Sequence, residues 1–387
     1  MAVDPIDVDD FASQLLSDNS YELTMAMLKG PELQEAEVAG STWPPRLLQE
    51  VAIYGQGSVL QKLIRQILAG KDKAGAGPGY AFDIEGGNSL GFAAMGALTM
   101  VTMSRPAAQL CLALHEGFEQ RLFQMFLENA MLIRALPDWD SDPLMYASFG
   151  IELVANLARV SAALRQIMQG ISRFVPLLEY LVSVEHAKKA RPEAVTGIRT
   201  QVARLMLVLS VSPDCQEWFR ESGLVRVITT ICETTKPGAK GEAVMACLVA
   251  LLRMSESPEG LAILKAQSAL MSILKRQTKK INSQCPELWR PLERRLFQGQ
   301  DRSIPAFGAG DKEIWKLARK TGFNGMAVTC SLSNCTTKQE YVSGTKFSKC
   351  GRCGVAHYCS KEHQLLHWRT HKKHCFKKEK IPGTDIG

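Results

Sequence analysis

The sequence predicts an all-α protein, an irregular stack of helical repeats followed by a small cysteine-rich unit. Three observations predict it. Aromatic residues are 7% of the 387, while the helix formers Leu, Ala and Met abound. Apolar segments of similar layout recur at intervals of 45 to 53 residues. Six of the eleven cysteines fall in the last sixty residues, in pairs. The apolar fraction of 46% and the charged fraction of 22% suit a folded chain with room for two or more domains.

Residues 1–20 form an acidic N-terminal segment, "MAVDPIDVDDF" at its start, without the apolar stretch of a secretory signal. The chain has no run of about 18 apolar residues, so no membrane span is expected. An intracellular protein, nuclear or cytoplasmic and not secreted, follows as the expectation. In a reducing compartment clustered cysteines bind metal more often than they form disulfides.

Residues 21–300 read as helix after helix. The segments are "ALTMVTMSRPAAQLCLALHEGFEQRLFQMFL", "ELVANLARVSAALRQIMQGISRFVPLLEYLV", "RLMLVLSVSPDCQEWFRESGLVRVITTIC" and "ALLRMSESPEGLAILKAQSALMSILKR". Each holds an apolar helix, a polar break, a second helix, a turn at a small residue and a third helix. The turn residues are Gly117, Gly170, Gly223 and Ser268. Ser212-Pro213 and Ser257-Pro258 mark two of the breaks, since proline fits the first turn of a helix. Helical units at such a period are the signature of armadillo or HEAT-like stacking, in which each unit buries its apolar face against its neighbours. An unclassified helical bundle is the alternative. The segment "LLQEVAIYGQGSVLQKLIRQIL" reads as a degenerate first unit.

This architecture absorbs several reactive residues. Cys111, Cys215, Cys232, Cys247 and Cys285 have no partner at ligand spacing and read as core thiols. His115 and His186 each stand alone, and the methionines at 100, 103, 125 and 131 read as core filler. The glycine-rich stretch 69–91 lacks the Gly-Lys-Ser/Thr ending of a phosphate-binding loop and reads as a connection between helices. A second break at 297–313 marks the domain boundary. Residues 301–325 are a linker with a short helix, "DKEIWKLARKTG", capped by Asp311, with Ile314, Leu317 and Ala318 on one face.

Residues 326–380 carry the chemistry, ahead of a tail at 381–387. Four pairs of zinc-type ligands occur: Cys330 and Cys335, Cys350 and Cys353, Cys359 and His363, His371 and Cys375. They fill two tetrahedral zinc shells with none left over. Both shells are closed, so the ions are structural and no catalytic position remains. Cys350 and Cys353 flank a tight turn ended by Gly354. Residues four apart share a helix face, which places His371 and Cys375 together, and Cys359 with His363 at a helix entrance capped by Ser360. Leu365, Leu366 and Trp368 are expected on the apolar side of that helix. His367 and His374 are spare ligand candidates, and spacing alone permits sequential or interleaved pairing. Two ions held by six thiolates would lower the formal charge of +7 to about +5, too mild to imply nucleic acid. The run Lys372, Lys373, Lys377, Lys378 and Lys380 reads as a solvated basic tail, a nuclear-import signal or a patch for an acidic partner.

"CGRCGVAHYCSKEHQLLHWRTHKKHC" resembles the second half of a MYND-type zinc finger. The resemblance rests on Cys350 and Cys353, Tyr358-Cys359-Ser360, His363-Gln364, Trp368, and His371 with Cys375. It implies interleaved ligation: one zinc on Cys330, Cys335, Cys359 and His363, the other on Cys350, Cys353, His371 and Cys375. Three departures stand out. His363 replaces the usual Cys, the first pair is Cys-x4-Cys, and residues 336–349 form a longer loop than is usual.

The resemblance further implies a non-enzymatic adaptor that binds proline-containing peptides of other proteins, with Gln364 and Trp368 lining the groove. Corepressor assembly and ubiquitin-ligase adaptors are settings in which such fingers occur. The helical repeats offer a second surface, and two sites on one chain gain from effective concentration. The alternatives are a SET-type lysine methyltransferase or a sequence-specific DNA-binding regulator. Against the first stand the absence of an Asn-His-Ser-Cys stretch and the 12 residues after Cys375. The second would rest on Arg352, Lys361, Arg369, Lys372 and Lys373, with no helix arranged to read bases. No membrane partner is expected.

Overall fold

The computed structural model describes residues 7–29, 33, 43–72, 89–135, 141–183, 185, 192–235, 242–299, 328–337 and 347–375. His186, most of the glycine-rich stretch and the linker 301–325 with its short helix lie outside the described residues. Among the described residues the fold is all-α apart from one two-stranded ribbon. It divides into two compact units, residues 1–125 together with 325–387, and residues 126–324.

The first unit begins with α1 (Val8–Leu15), α2 (Ser20–Leu28), α3 (Trp43–Asp72), α4 (Ser89–Val101) and α5 (Arg105–Leu114). The acidic start is put to use: Asp7 caps α1, its side chain accepting from the backbone of Asp9 and Asp10 at 2.9 and 3.0 Å. Phe11, Ala12 and Leu15 are buried. Helix α4 packs on α2 and α3, and α3 also touches α1 and α5. Helix α3 is broken at Tyr54–Gly57, where Gly55, Gln56 and Gly57 take φ of 54, 61 and 84°. A side chain at Gly55 would meet the Ser58 hydroxyl at 2.4 Å.

Helix α6 (Phe118–Ala135) carries the boundary between the units. The second unit continues with α7 (Ser141–Ala158), α8 (Ala162–Gly170), α9 (Phe174–Val182) and α10 (Pro192–Val211). A 3-10 turn (Pro213–Cys215) leads to α11 (Gln216–Glu221), α12 (Leu224–Thr234), α13 (Glu242–Met254), α14 (Pro258–Ala266), α15 (Ser268–Gln284) and α16 (Pro286–Phe297). Equivalent helices meet. Helix α10 lies against α7 and α13, α12 against α9 and α15, and α13 against α16.

Polar contacts follow the same rule. Arg204 of α10 bridges Glu152 of α7 at 3.3 Å and Glu242 of α13 at 3.2 Å. Arg226 of α12 pairs with Glu179 of α9 at 2.7 Å. Gln277 of α15 donates to the Cys232 carbonyl of α12 at 3.1 Å.

The turn residues fall where the pattern puts them, between second and third helices. Gly117 and Gly223 take φ of 71 and 87°, while Gly170 closes α8 and Ser268 opens α15. Ser257 caps α14 by accepting from the Gly260 backbone at 2.9 Å, with Pro258 following. The five scattered cysteines are buried, and Met100 and Met125 are core. Met131 is 38% exposed and fills no core, because its position on α6 falls on the outer stripe. Residues Ala194–Val211 of α10 are long and apolar enough to cross a membrane, but 67% of that stretch is buried, as befits a core helix flanked on two sides.

Candidate metal centre

The finger belongs to the first unit. Strands β1 (Ser348–Lys349) and β2 (His357–Tyr358) pair antiparallel, Ser348 opposite Tyr358. This ribbon holds the Cys350–Cys353 turn at its end. Gly354 takes φ 70° and its N–H donates to the Cys350 carbonyl at 2.9 Å. Ser331 ties the first knuckle to β2, its N–H donating to the His357 carbonyl at 2.8 Å. Helix α17 (Lys361–His371) follows, capped by Ser360, whose side chain accepts from the His363 N–H at 3.2 Å.

The eight ligand candidates gather into two groups. Cys330, Cys335, Cys359 and His363 form one, and Cys350, Cys353, His371 and Cys375 the other, the donor atoms of each within 4.8 Å of one another. Of the pairings that spacing permits, the structure shows the interleaved one. In a zinc tetrahedron with Zn–S bonds of about 2.3 Å, sulfur–sulfur edges are about 3.7 Å. Cys335 and Cys359 lie 3.6 Å apart, Cys350 and Cys375 3.7 Å. His363 Nδ1 lies 3.0 Å from Cys359 Sγ and 3.7 Å from Cys330 Sγ, while His371 Nε2 lies 3.6 Å from Cys353 Sγ. Soft thiolates with one imidazole suit zinc, and all of these separations but the closer Cys359–His363 one are near tetrahedral edge lengths.

Electrostatics agree. Three thiols crowded together ionise only against one another unless a cation joins them. The Cys353 sulfhydryl pulls the Cys350 thiol down to about 3, and the same bond, with burial, pushes Cys353 up. Burial raises the Cys335 thiol, but hydrogen bonds from Thr337 and the neighbouring thiols bring it down to about 7. A bound dication favours the thiolate at every one of these sulfurs. Zinc here would hold the knuckles, the ribbon and α17 together, supplying folding free energy on the order of 10 kcal/mol per ion.

The spare histidines are engaged elsewhere. His367 Nδ1 meets the buried Tyr358 hydroxyl at 3.1 Å, and His374 stacks on Tyr54 at 4.9 Å between ring centroids. His357, buried and 2.6 Å from the Val355 carbonyl through Nδ1, has its pKa lowered by burial to about 4.

One expectation fails. Leu365 and Leu366 are 63% and 53% exposed, because ligation turns the stripe of His363, His367 and His371 inward. Gln364 and Trp368 are half-buried beside that stripe, and the Arg352 guanidinium lies over the Trp368 ring at 5.9 Å. Arg352, Lys361, Arg369, Lys372 and Lys373 are exposed.

Sequence reasoning missed the contribution of α3. Arg46 donates to the carbonyls of Cys330, Ser333 and Cys335, Ser331 donates to Gln49 at 3.3 Å, and Glu50 lies 3.5 Å from His367 Nε2. Burial pushes the Glu50 carboxyl up to about 7 against the pull of His371 and Arg46. The only signal in the chain is their helical spacing, which does not name the surface they face.

Residues 330–375 match the family described as MYND finger. A stretch of 33 residues is 61% identical to programmed cell death protein 2 of the mouse, covering 8% of this chain and 10% of that protein. Both similarities concern the finger, and the chain spans about a tenth of the length of that relative. Together with the geometry they support a C-terminal MYND-type finger, a zinc-binding protein–protein interaction module, with two Cys/His clusters suited to two zinc ions.

Proposed function

We propose that the chain is a non-enzymatic intracellular adaptor whose finger docks proline-containing peptides along the outer stripe of α17. What supports this reading is the exposure of Leu365 and Leu366 beside the half-buried Trp368. Gln364 and Trp368, four residues apart, share one line of the helix and offer an amide and a ring edge to a peptide. Arg352 covers one side of the indole and braces it. A proline segment enters such a site already extended, with little conformational entropy to lose.

The second unit supplies the other surface. Its recurring three-helix layout supports a reading as armadillo or HEAT-like stacking, in which a stacked row of helices would present an extended face to a second protein. Corepressor complexes and ubiquitin-ligase adaptors are settings that would use both.

The test is binding of proline-rich peptides to the full chain loaded with zinc. Trp368→Ala, shown to keep both ions, should weaken binding by about tenfold or more, the loss of one aromatic anchor. Equal binding by the variant and the parent would exclude this groove.

A further inference from the structure

The N-terminal half of α3 lies against the finger, and its contacts fall on one stripe. Arg46, Gln49 and Glu50 are three and four residues apart, and Tyr54 follows four beyond Glu50. Each reaches a different part of the finger. Arg46 Nε and Nη2 donate to the carbonyls of Cys330 at 3.2 Å and Cys335 at 2.5 Å, and Nη1 donates to Ser333. One guanidinium thus ties down the carbonyls along the first knuckle, the wide Cys-x4-Cys pair. A planar fork of fixed donors suits that task where a lysine ammonium does not.

Glu50 stands at the other cluster. His371 turns Nε2 toward Cys353 Sγ, so its Nδ1 points away from the sulfurs. That Nδ1 is buried and finds no hydrogen-bond partner, and the buried Glu50 Oε1, with His367 Nε2 at 3.5 Å, makes no hydrogen bond either. The two residues are neighbours: Glu50, His367 and His371 each bring one ligand-type atom within 4.8 Å of the others. A neutral imidazole that ligates through Nε2 carries its proton on Nδ1, and a buried N–H requires an acceptor. Metal-bound histidines are commonly oriented in this way by a carboxylate on the second ring nitrogen.

We infer that the half-helix from Trp43 to Ile53 is an internal partner of both zinc sites, with Arg46 positioning the Cys330–Cys335 knuckle and Glu50 accepting the Nδ1 proton of His371. His367 completes the arrangement. Its Nε2 faces Glu50 and its Nδ1 meets the Tyr358 hydroxyl, so Tyr358, His367 and His371, all buried, gather with the partly exposed Glu50 into one chain. Arg46, one turn before Glu50, places a cation beside the carboxylate. The finger of this protein is thereby completed by a helix nearly three hundred residues away in sequence. The inference rests on zinc binding by the two clusters and does not depend on what docks on the outer stripe of α17.

The test uses the zinc-loaded full chain, with release of zinc to excess chromophoric chelator followed in time. Glu50→Gln keeps the shape and removes the charge. It should speed the release of one ion by about tenfold to a hundredfold and leave the other within about twofold. Arg46→Lys should accelerate the other ion instead. The histidine side-chain 15N–1H spectrum supplies a readout that packing alone would not move. In the parent, His371 should show the pattern of an Nε2 ligand with a hydrogen-bonded Nδ1–H, and His363 that of an Nδ1 ligand. Glu50→Gln should shift the His371 Nδ1–H resonance and leave His363 unchanged. Glu50→Asp, which keeps the charge one methylene short, should fall between parent and Gln. Unchanged release, equal acceleration of both ions, or an unmoved His371 resonance would each overturn the inference. So would failure of both Glu50 variants to fold in zinc, which would assign Glu50 to packing alone.

Discussion

His363 and His371 turn different nitrogens toward their sulfurs, Nδ1 in one cluster and Nε2 in the other. The difference follows from position on α17. His363 sits in the first turn, next to Cys359 and under the Ser360 cap, and its near nitrogen reaches the knuckle. His371 is the last residue of the helix and reaches the far cluster with the tip of its ring. Glycines show the same dependence on immediate surroundings. At Gly260 a side chain would meet the Met254 carbonyl oxygen at 2.1 Å and the Ser257 hydroxyl at 3.0 Å. Backbone cannot step aside as a flexible side chain can. Gly260→Ala is therefore expected to cost about 1–3 kcal/mol of stability, read as a lower urea midpoint with an unchanged slope. By contrast, at Gly351 the space is open and alanine should pass without a comparable shift.

The elements of the second unit are joined by buried charge as well as by apolar contact. Arg204 links α7, α10 and α13, and burial holds the Glu152 carboxyl above its usual value even beside that guanidinium. Removing the cation leaves an unpaired acid in the interior. Arg204→Met should cost about 3–5 kcal/mol, measured by urea unfolding near neutral pH. Because the folded-state pKa of Glu152 is raised, its protonated form suits the fold, and the penalty should shrink as the pH falls toward the ordinary carboxylate range. The helices themselves were legible from apolar period, Ser-Pro starts and small turn residues, since each of those signals is local. The side of α17 that faces inward was not. Leu365 and Leu366 look like core in a hydrophobicity pattern, but ligand geometry decides the rotation of that helix and sends them outward. Met131 misleads in the same way, an apolar side chain on the outer stripe of α6.

At the scale of the molecule, the finger is not simply the last piece of a serial chain. It shares a compact unit with residues 1–125, and α3 supplies Arg46 to its first knuckle and Glu50 beside His371 of the other cluster. The zinc ligands could be read from sequence because tetrahedral coordination demands close spacing in pairs. Their interleaving came from resemblance to a known finger, as the spacing allowed either pairing. Arg46 and Glu50 were invisible, because 284 residues separate Arg46 from Cys330 and no local pattern spans that distance. The central claim remains the pair of closed zinc sites on which the finger's fold and its docking surface depend. Native mass spectrometry of the full chain weighs it directly. The account predicts two zinc ions per chain, falling to one in Cys359→Ser and to one in Cys350→Ser. A parent chain that holds one ion or none, or a single substitution that removes neither, would contradict it.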